Sequence, residues 1–183
     1  MYLSRLTLRN FRQYGDGSEA LEITFNRGIT ALVGRNDSGK SAIIDGIRYA
    51  LLTRDREFIR VEPDDFHIDS DGKQATDILI RCKLDGLDDN EKAAFVEYLS
   101  YDNDKSDPAL FVNWTAKRLK DFPGERRWVD VSVRSGIDAT GPPLESSVRE
   151  LLSSTYLRPL RDAEREMSSG RGSRLSQGLA SVP

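Results

Sequence analysis

Ile29-Thr30-Ala31-Leu32-Val33-Gly34-Arg35-Asn36-Asp37-Ser38-Gly39-Lys40-Ser41 is the stretch on which the fold turns. Its first five residues form a short apolar run of the kind buried on both faces of a sheet. The next eight match G-x-x-x-x-G-K-[ST]. Beyond them Ile43, Ile44, Ile47, Ala50 and Leu51 recur at helical spacing, with no proline before Pro63, so an amphipathic helix is predicted over 40–52. Strand, glycine loop and helix in that order are the setting this motif requires. Gly34 and Gly39 let the backbone curl so that successive N–H groups point inward at phosphate oxygens, and the helix adds its positive N-terminal dipole. Lys40 is expected to reach the β- and γ-phosphates. Ser41 is expected to ligate Mg²⁺ through its hydroxyl, because a hard cation prefers oxygen. The predicted contact set is therefore Gly34, Arg35, Asn36, Asp37, Ser38, Gly39, Lys40, Ser41 and Ala42, with ATP and Mg²⁺ as ligands.

Upstream of this stretch, residues 2–9 alternate, with Tyr2, Ser4, Leu6 and Leu8 on one side and Leu3, Arg5, Thr7 and Arg9 on the other, the pattern of a strand. After the turn-rich 13–18, Leu21, Ile23 and Phe25 alternate with Glu22 and Thr24 as a second strand, so the two are expected to form a hairpin. Downstream, the segments 76–84, 109–118 and 127–134 are rich in Ile, Val, Phe and Trp and predict an antiparallel β lobe. Asn90 to Leu99 interrupts it, where helix is favoured over strand. Gly141-Pro142-Pro143 breaks the chain before a helix expected over 144–154, and Tyr156 to Leu160 reads as extended because the residue before a proline avoids the α region. Domain organisation follows, with a nucleotide-binding lobe over 1–166 and a Ser/Gly/Arg-rich tail over 167–183 that needs a partner to be well ordered.

A chain of 183 residues is long enough to bury a real core, and a net charge of −3 excludes a globally basic nucleic-acid coat. The single Cys82 forms no internal disulfide, which fits a reducing compartment, and the single His67 excludes a multi-His or Cys/His zinc site within these residues. No apolar run approaches the ~20 residues needed to span a bilayer, and a cytoplasmic location without membrane association is expected.

Two blocks carry a family resemblance. Leu6-Thr7-Leu8-Arg9-Asn10-Phe11-Arg12 followed by Gly28 to Ser41 resembles the N-terminal half of SMC/RecF-type ABC ATPases. That resemblance implies that Arg12 approaches the nucleotide and that Phe11 packs into the core. An exposed surface arginine is the competing reading for Arg12. Tyr156-Leu157-Arg158-Pro159-Leu160-Arg161-Asp162-Ala163, with Gly170-Arg171-Gly172-Ser173-Arg174-Leu175, resembles OLD-family ATP-dependent endonucleases, as do Asp64-Asp65-Phe66-His67 and Lys83 to Leu87. The implied fold class is α/β, a P-loop ATPase of ABC/SMC type with a mixed sheet around the P-loop helix plus an antiparallel β lobe, forming an incomplete ATPase head. The implied partners are a second head in a homodimer, or a missing C-terminal ATPase and Toprim nuclease half, with DNA bound by the complete protein.

Hydrolysis needs a carboxylate near the magnesium and a group to orient the attacking water, and no convincing source of either is found here. Ile78 to Asp85 alternates apolar and charged residues, unlike the continuous apolar run of a Walker B strand, and reads as a half-exposed strand. Leu175-Ser176-Gln177-Gly178 has too few residues after it to be an ABC signature, and Asp69-Ser70-Asp71 reads as an acidic turn. The resemblance to ABC ATPases implies a residue in the loop after the first helix that senses the γ-phosphate through Mg²⁺ or water, and Asp65, or its neighbour Asp64, lies about there, although Glu62 to Asp65 fits a surface turn equally. No catalytic residue is assigned. Arg158, Arg161, Arg165, Arg171 and Arg174 read as a solvated face or, more sharply, as contacts to DNA phosphates or a neighbouring nucleotide. The resulting expectation is a MgATP-binding lobe of an OLD-like endonuclease, not hydrolytic alone. The alternative is a stand-alone regulatory module completed by a partner protein. A small-molecule kinase is disfavoured by the N-terminal hairpin and the β lobe.

Overall fold

In the computed structural model, which describes residues 1–54, 59–101, 107–119 and 128–156, the alternating N-terminal segment forms strand β1, Tyr2–Arg9. Leu6 and Leu8 are fully buried on one face of β1, while Arg5 and Arg9 stand exposed on the other. Strand β2, Leu21–Thr24, returns antiparallel to β1 with Leu6 opposite Ile23, so the hairpin read from the sequence is present. Three further segments extend the same sheet: β3, Asp77–Asp85; β5, Ala109–Arg118; and β6, Val129–Arg134. The short strand β4, Leu99–Ser100, completes an order β2-β1-β3-β5-β4, with β6 also paired to β5. Hairpin and β lobe are thus one continuous sheet.

Every ladder in that sheet is antiparallel, and among the described residues parallel pairing occurs at the isolated Thr53–Ser154 bridge. Helix α1, Lys40–Leu51, packs on the face presented by Leu6, Leu8, Ile80 and Trp114, through Ala42, Ile43, Tyr49 and Ala50. Its Gly46 is buried, and a Cβ there would lie 2.7 Å from Cδ2 of Leu8, so the glycine sets how closely the helix approaches β1. Burial of this apolar face is what fixes α1 in place, since a 12-residue helix is marginal in isolation.

The structure corrects three expectations. Ile29 to Val33 forms no strand, and Ile29 and Val33 are 99% and 94% exposed. A strand buried on both faces needs neighbours at both edges, and none of the described strands pairs with it. The helix expected over Asn90 to Leu99 is shorter: α2 spans Asp89–Ala94, and Leu99 is already in β4. Its start is fixed by a reciprocal capping box between Asp88 and Glu91. Helix α3, Ser146–Leu151, likewise covers only the middle of the predicted 144–154. The tail over 167–183, the Leu175 to Gly178 motif and Arg158, Arg161, Arg165, Arg171 and Arg174 lie outside the described residues.

Candidate nucleotide-binding site

Gly39 is the N-cap of α1 and adopts φ of +88°, in the left-handed region that favours glycine. That conformation turns the chain sharply from loop into helix. As a result, the backbone N–H groups of Gly39, Lys40, Ser41 and Ala42 find no acceptor among the described residues, while Ile43 N–H already bonds to Gly39 C=O at 3.1 Å. Four unsatisfied donors at the positive end of a helix are what a phosphate group requires. Lys40 curls back over the loop, its ammonium donating to Gly34 C=O at 2.8 Å, to Arg35 C=O and to Ser38 Oγ at 3.2 Å. Among the described residues it makes no ion pair, so its charge is available for an anion in the same space. Ser41 is exposed on the first turn of α1, where its hydroxyl suits a phosphate-bound Mg²⁺. Among the described residues no group of three or more His, Cys, Asp and Glu is gathered to hold a metal, so any Mg²⁺ here would draw its remaining ligands from phosphates and water.

A second wall comes from the turn after β1. Phe11 is fully buried and meets Tyr49 edge-on at 6.0 Å. Residues 12–14 then lie along α1. A Cβ on Gly39 would fall 1.7 Å from Gln13 Nε2 and 2.3 Å from the Tyr14 hydroxyl, and Tyr14 donates to Gly39 C=O at 3.4 Å. Farther down the helix Arg12 donates from Nη1 to Asp45 at 2.7 Å and from Nε to Asp65 at 2.9 Å. Burial alone would lower the Arg12 pKa, but hydrogen bonds to Asp45 and then Asp65 outweigh it and raise it, so the guanidinium is held firmly charged.

Asp65 has a different environment from the metal ligand that its position predicted. It is 4% exposed, in a 3-10 turn spanning Pro63–Asp65. One oxygen accepts from Arg12, and the other accepts from Tyr49 at 3.0 Å and from the Glu62 backbone N–H at 2.9 Å. Both oxygens are committed to protein donors. Burial and then the Asp65 charge push the Tyr49 hydroxyl pKa upward, keeping it a proton donor to the carboxylate. Asp45 is shared between Arg12 and Arg48, the latter at 2.9 Å. Neither carboxylate is free to orient a hydrolytic water. Gln13, Tyr14, Asp45, Tyr49 and His67 were not legible as site residues in the sequence, because only tertiary contact brings the turn at 12–14, the segment 65–67 and the Asp45 and Tyr49 side chains of α1 together.

The other sequence candidates fall where their chemistry is structural. Asp69 accepts from the N–H groups of Asp71 and Lys73 in a tight acidic turn. Asp85, at the end of the Walker B-like segment, pairs with Lys83 at 3.3 Å within β3. A groove of about 1010 Å³, lined by Thr53, Arg60, Trp128, Val131 and Arg149 among others, opens at the C-terminal end of α1. Its nearest lining residue on the helix, Arg48, is about 12 Å along the axis from Lys40 at 1.5 Å per residue, so the groove is separate from the phosphate loop.

A glycine loop capping the helix that packs across an antiparallel sheet defines the class: an incomplete P-loop ATPase head of ABC type. The chain belongs to the AAA domain family, which it matches over residues 5–134. It is 32% identical over 135 residues to the chromosome partition protein Smc of Fusobacterium nucleatum, which is 67% of this chain and 10% of that protein. To the DNA double-strand break repair Rad50 ATPase of Thermoplasma volcanium it is 41% identical over 56 residues, 31% of this chain and 6% of the relative. To the DNA replication and repair protein RecF of Streptococcus gordonii it is 35% identical over 74 residues, 37% of this chain and 19% of the relative. The chain thus spans a small part of each relative. A solved chain from work on ATP-driven dimerization and DNA-stimulated activation of SMC ATPases superposes with a TM-score of 0.60 at 21% identity, covering 99% of this chain and all of that one. An Smc head bound to the C-winged helix domain of ScpA gives 0.58 at 18% identity, covering all of this chain and 52% of that one. These structural likenesses establish the fold. No helix among the described residues is long and apolar enough to cross a membrane.

Proposed function

We propose that this chain is the MgATP-binding lobe of a DNA-processing ATPase, an OLD-like endonuclease in its complete form, whose hydrolytic groups lie outside the described residues. The observation that carries the reading is the state of residues 29–41. A phosphate cradle with four N–H donors unpaired among the described residues is preceded by an apolar run whose Ile29 and Val33 are solvent-exposed while Leu32 alone packs against the core. An apolar run of that kind has the composition of a core strand and the exposure of a surface loop. It is explained if further strands pair beside it, supplied by a second lobe or a second copy that also brings the hydrolytic carboxylate. The relatives' roles in DNA repair and chromosome partition support a DNA-associated role for the complete protein. Contacts with DNA phosphates would come from the arginines of the C-terminal third.

The test is equilibrium binding of a fluorescent ATP analogue to the purified chain, with and without Mg²⁺. The native chain binds, Lys40→Ala loses at least about tenfold in affinity, as removal of a charge-assisted phosphate contact predicts, and neither turns ATP over. No binding by the native chain overturns the assignment, and turnover by the native chain overturns the placement of the hydrolytic groups elsewhere.

A further inference from the structure

The turn at Arg12 is strained, and the strain is held from every side. Arg12 has φ of +53°, a conformation that costs a non-glycine residue energy and persists only where surrounding contacts fix it. Its N–H donates to Asp65 C=O at 2.8 Å, and its own C=O lies 2.7 Å from His67 Nδ1. The Asp65 carboxylate takes Nε and the Asp45 carboxylate takes Nη1. Backbone and side chain are therefore clamped together by one short segment, residues 65–67, and by one residue of α1.

The direction of the clamp gives it meaning. Asp45 follows Ser41 by four residues, so the two share a face of α1, one turn apart. Gln13 and Tyr14, next along the turn, abut Gly39 at the start of the same helix. The guanidinium side chain is 32% exposed, and with Nε and one Nη1 proton committed it keeps three N–H donors. A fixed cation with spare donors, one turn from the magnesium-binding hydroxyl, suits a phosphate oxygen.

We infer that Asp65, with Asp45 and His67, is a positioning clamp that presets the Arg12 guanidinium as a phosphate contact on the Ser41 side of the loop. The inference rests on the MgATP reading above and assigns Asp65 a role through arginine instead of through metal. Asp65 touches no nucleotide in this scheme. Its two oxygens hold Arg12 at one end and the Tyr49 hydroxyl and the Glu62 N–H at the other, so the arginine is tied to the helix core.

A double-mutant cycle on binding of the fluorescent ATP analogue tests it, with thermal melting to confirm folding. Arg12→Ala lowers MgATP affinity about tenfold, the low end for a charged hydrogen bond. Asp65→Asn and Asp45→Asn each lower it severalfold, and neither lowers it further in the Arg12→Ala background. Lys40→Ala separates the two readings: if it abolishes binding while the carboxylate and Arg12 effects simply add, the ATP site stands and the clamp is wrong. The clamp also fails if Asp65→Asn lowers the melting temperature and leaves affinity unchanged. Should Asp65→Asn not fold, Asp45→Asn, on the partly exposed side of the cluster, carries the same cycle. Absence of binding by the native chain removes site and clamp together.

Discussion

The exposed run at 29–33 makes the sharpest prediction about this chain. Ile29 is 99% exposed and Val33 94%, whereas Ile80, in the middle of β3, is fully buried. Truncating a buried isoleucine to alanine removes transferred apolar surface and leaves a cavity, at a cost of about 2–5 kcal/mol. Ile80→Ala is expected in that range, a large share of the ~5–15 kcal/mol by which a domain is stable. Ile29 has almost no burial to lose, so Ile29→Ala and Val33→Ala are expected within about 0.5 kcal/mol of the native chain. Urea denaturation followed by tryptophan fluorescence reads the difference, since a lower midpoint at constant m reports lost stability. The same residues have a second measurable consequence. An apolar run without strand neighbours favours association, so sizing at high concentration should show the native chain associating and Val33→Lys less so. Loss of more than about 2 kcal/mol in Ile29→Ala would place the run in this lobe's own core and refute the idea that it awaits other strands. A native chain that stays monomeric at high concentration would remove the inference of an unsatisfied edge.

Three further outcomes test the packing that holds the site. Gly46→Ala gains about 1 kcal/mol of helix propensity, but its Cβ meets the fully buried Leu8 at 2.7 Å, and overpacking costs about 1–3 kcal/mol; net destabilisation is expected, relieved when Leu8→Val is added, and an outright gain in melting temperature refutes the contact. Burial pushes the Cys82 thiol from 9.0 up to about 12, so the folded state holds a proton that the unfolded state releases. That contribution is intact below pH 9 and falls by about 1.4 kcal/mol per pH unit as pH rises toward 12, which makes Cys82→Ala less alkali-sensitive than the native chain in pH-dependent melts. Asn113 is fully buried, donates to Gly136 C=O at 2.7 Å and accepts from Arg81 at 2.6 Å; Asn113→Leu leaves both unpaired and should cost about 1–3 kcal/mol in urea denaturation, with an unchanged midpoint counting against the network.

Much of the fold was legible because its elements are half-buried and therefore patterned. Strands β1 and β3 alternate along most of their length, β5 is an apolar- and aromatic-rich run buried over most of its length, and α1 repeats its apolar residues at helical spacing after a glycine that can adopt positive φ. The shortness of α2 was hidden by Val96 and Tyr98, which carry apolar periodicity past the helix end: Val96 is 67% exposed in a turn, and Tyr98 is buried by tertiary contact. For Ile29 to Val33 composition described the strand's chemistry correctly and its exposure wrongly. Leu32 of this run packs against the core, but none of the described strands pairs with it, so Ile29 and Val33 stay exposed.

The two walls of the proposed phosphate site differ in how they are encoded, and their mutations should separate accordingly. The cradle is local: Gly34 to Ala42 supplies its own turn, lysine and N–H groups unpaired among the described residues, so a motif of eight residues was enough to propose it. The Arg12 wall is non-local, built from contacts spanning 33, 53 and 55 residues to Asp45, Asp65 and His67. No spacing rule links a turn after the first strand to a 3-10 turn beyond the first helix. Substitutions in the cradle, such as Lys40→Ala, should therefore remove binding at little expense in stability, because among the described residues Lys40 bonds within its own loop. Substitutions at Asp65 should lower both, because the same carboxylate caps its own turn, bonds Tyr49 in the core and pairs with Arg12, which the proposed clamp aims at phosphate. A cradle mutant that unfolds the chain would show that the loop also supports the fold, and the separation of the two walls would fail.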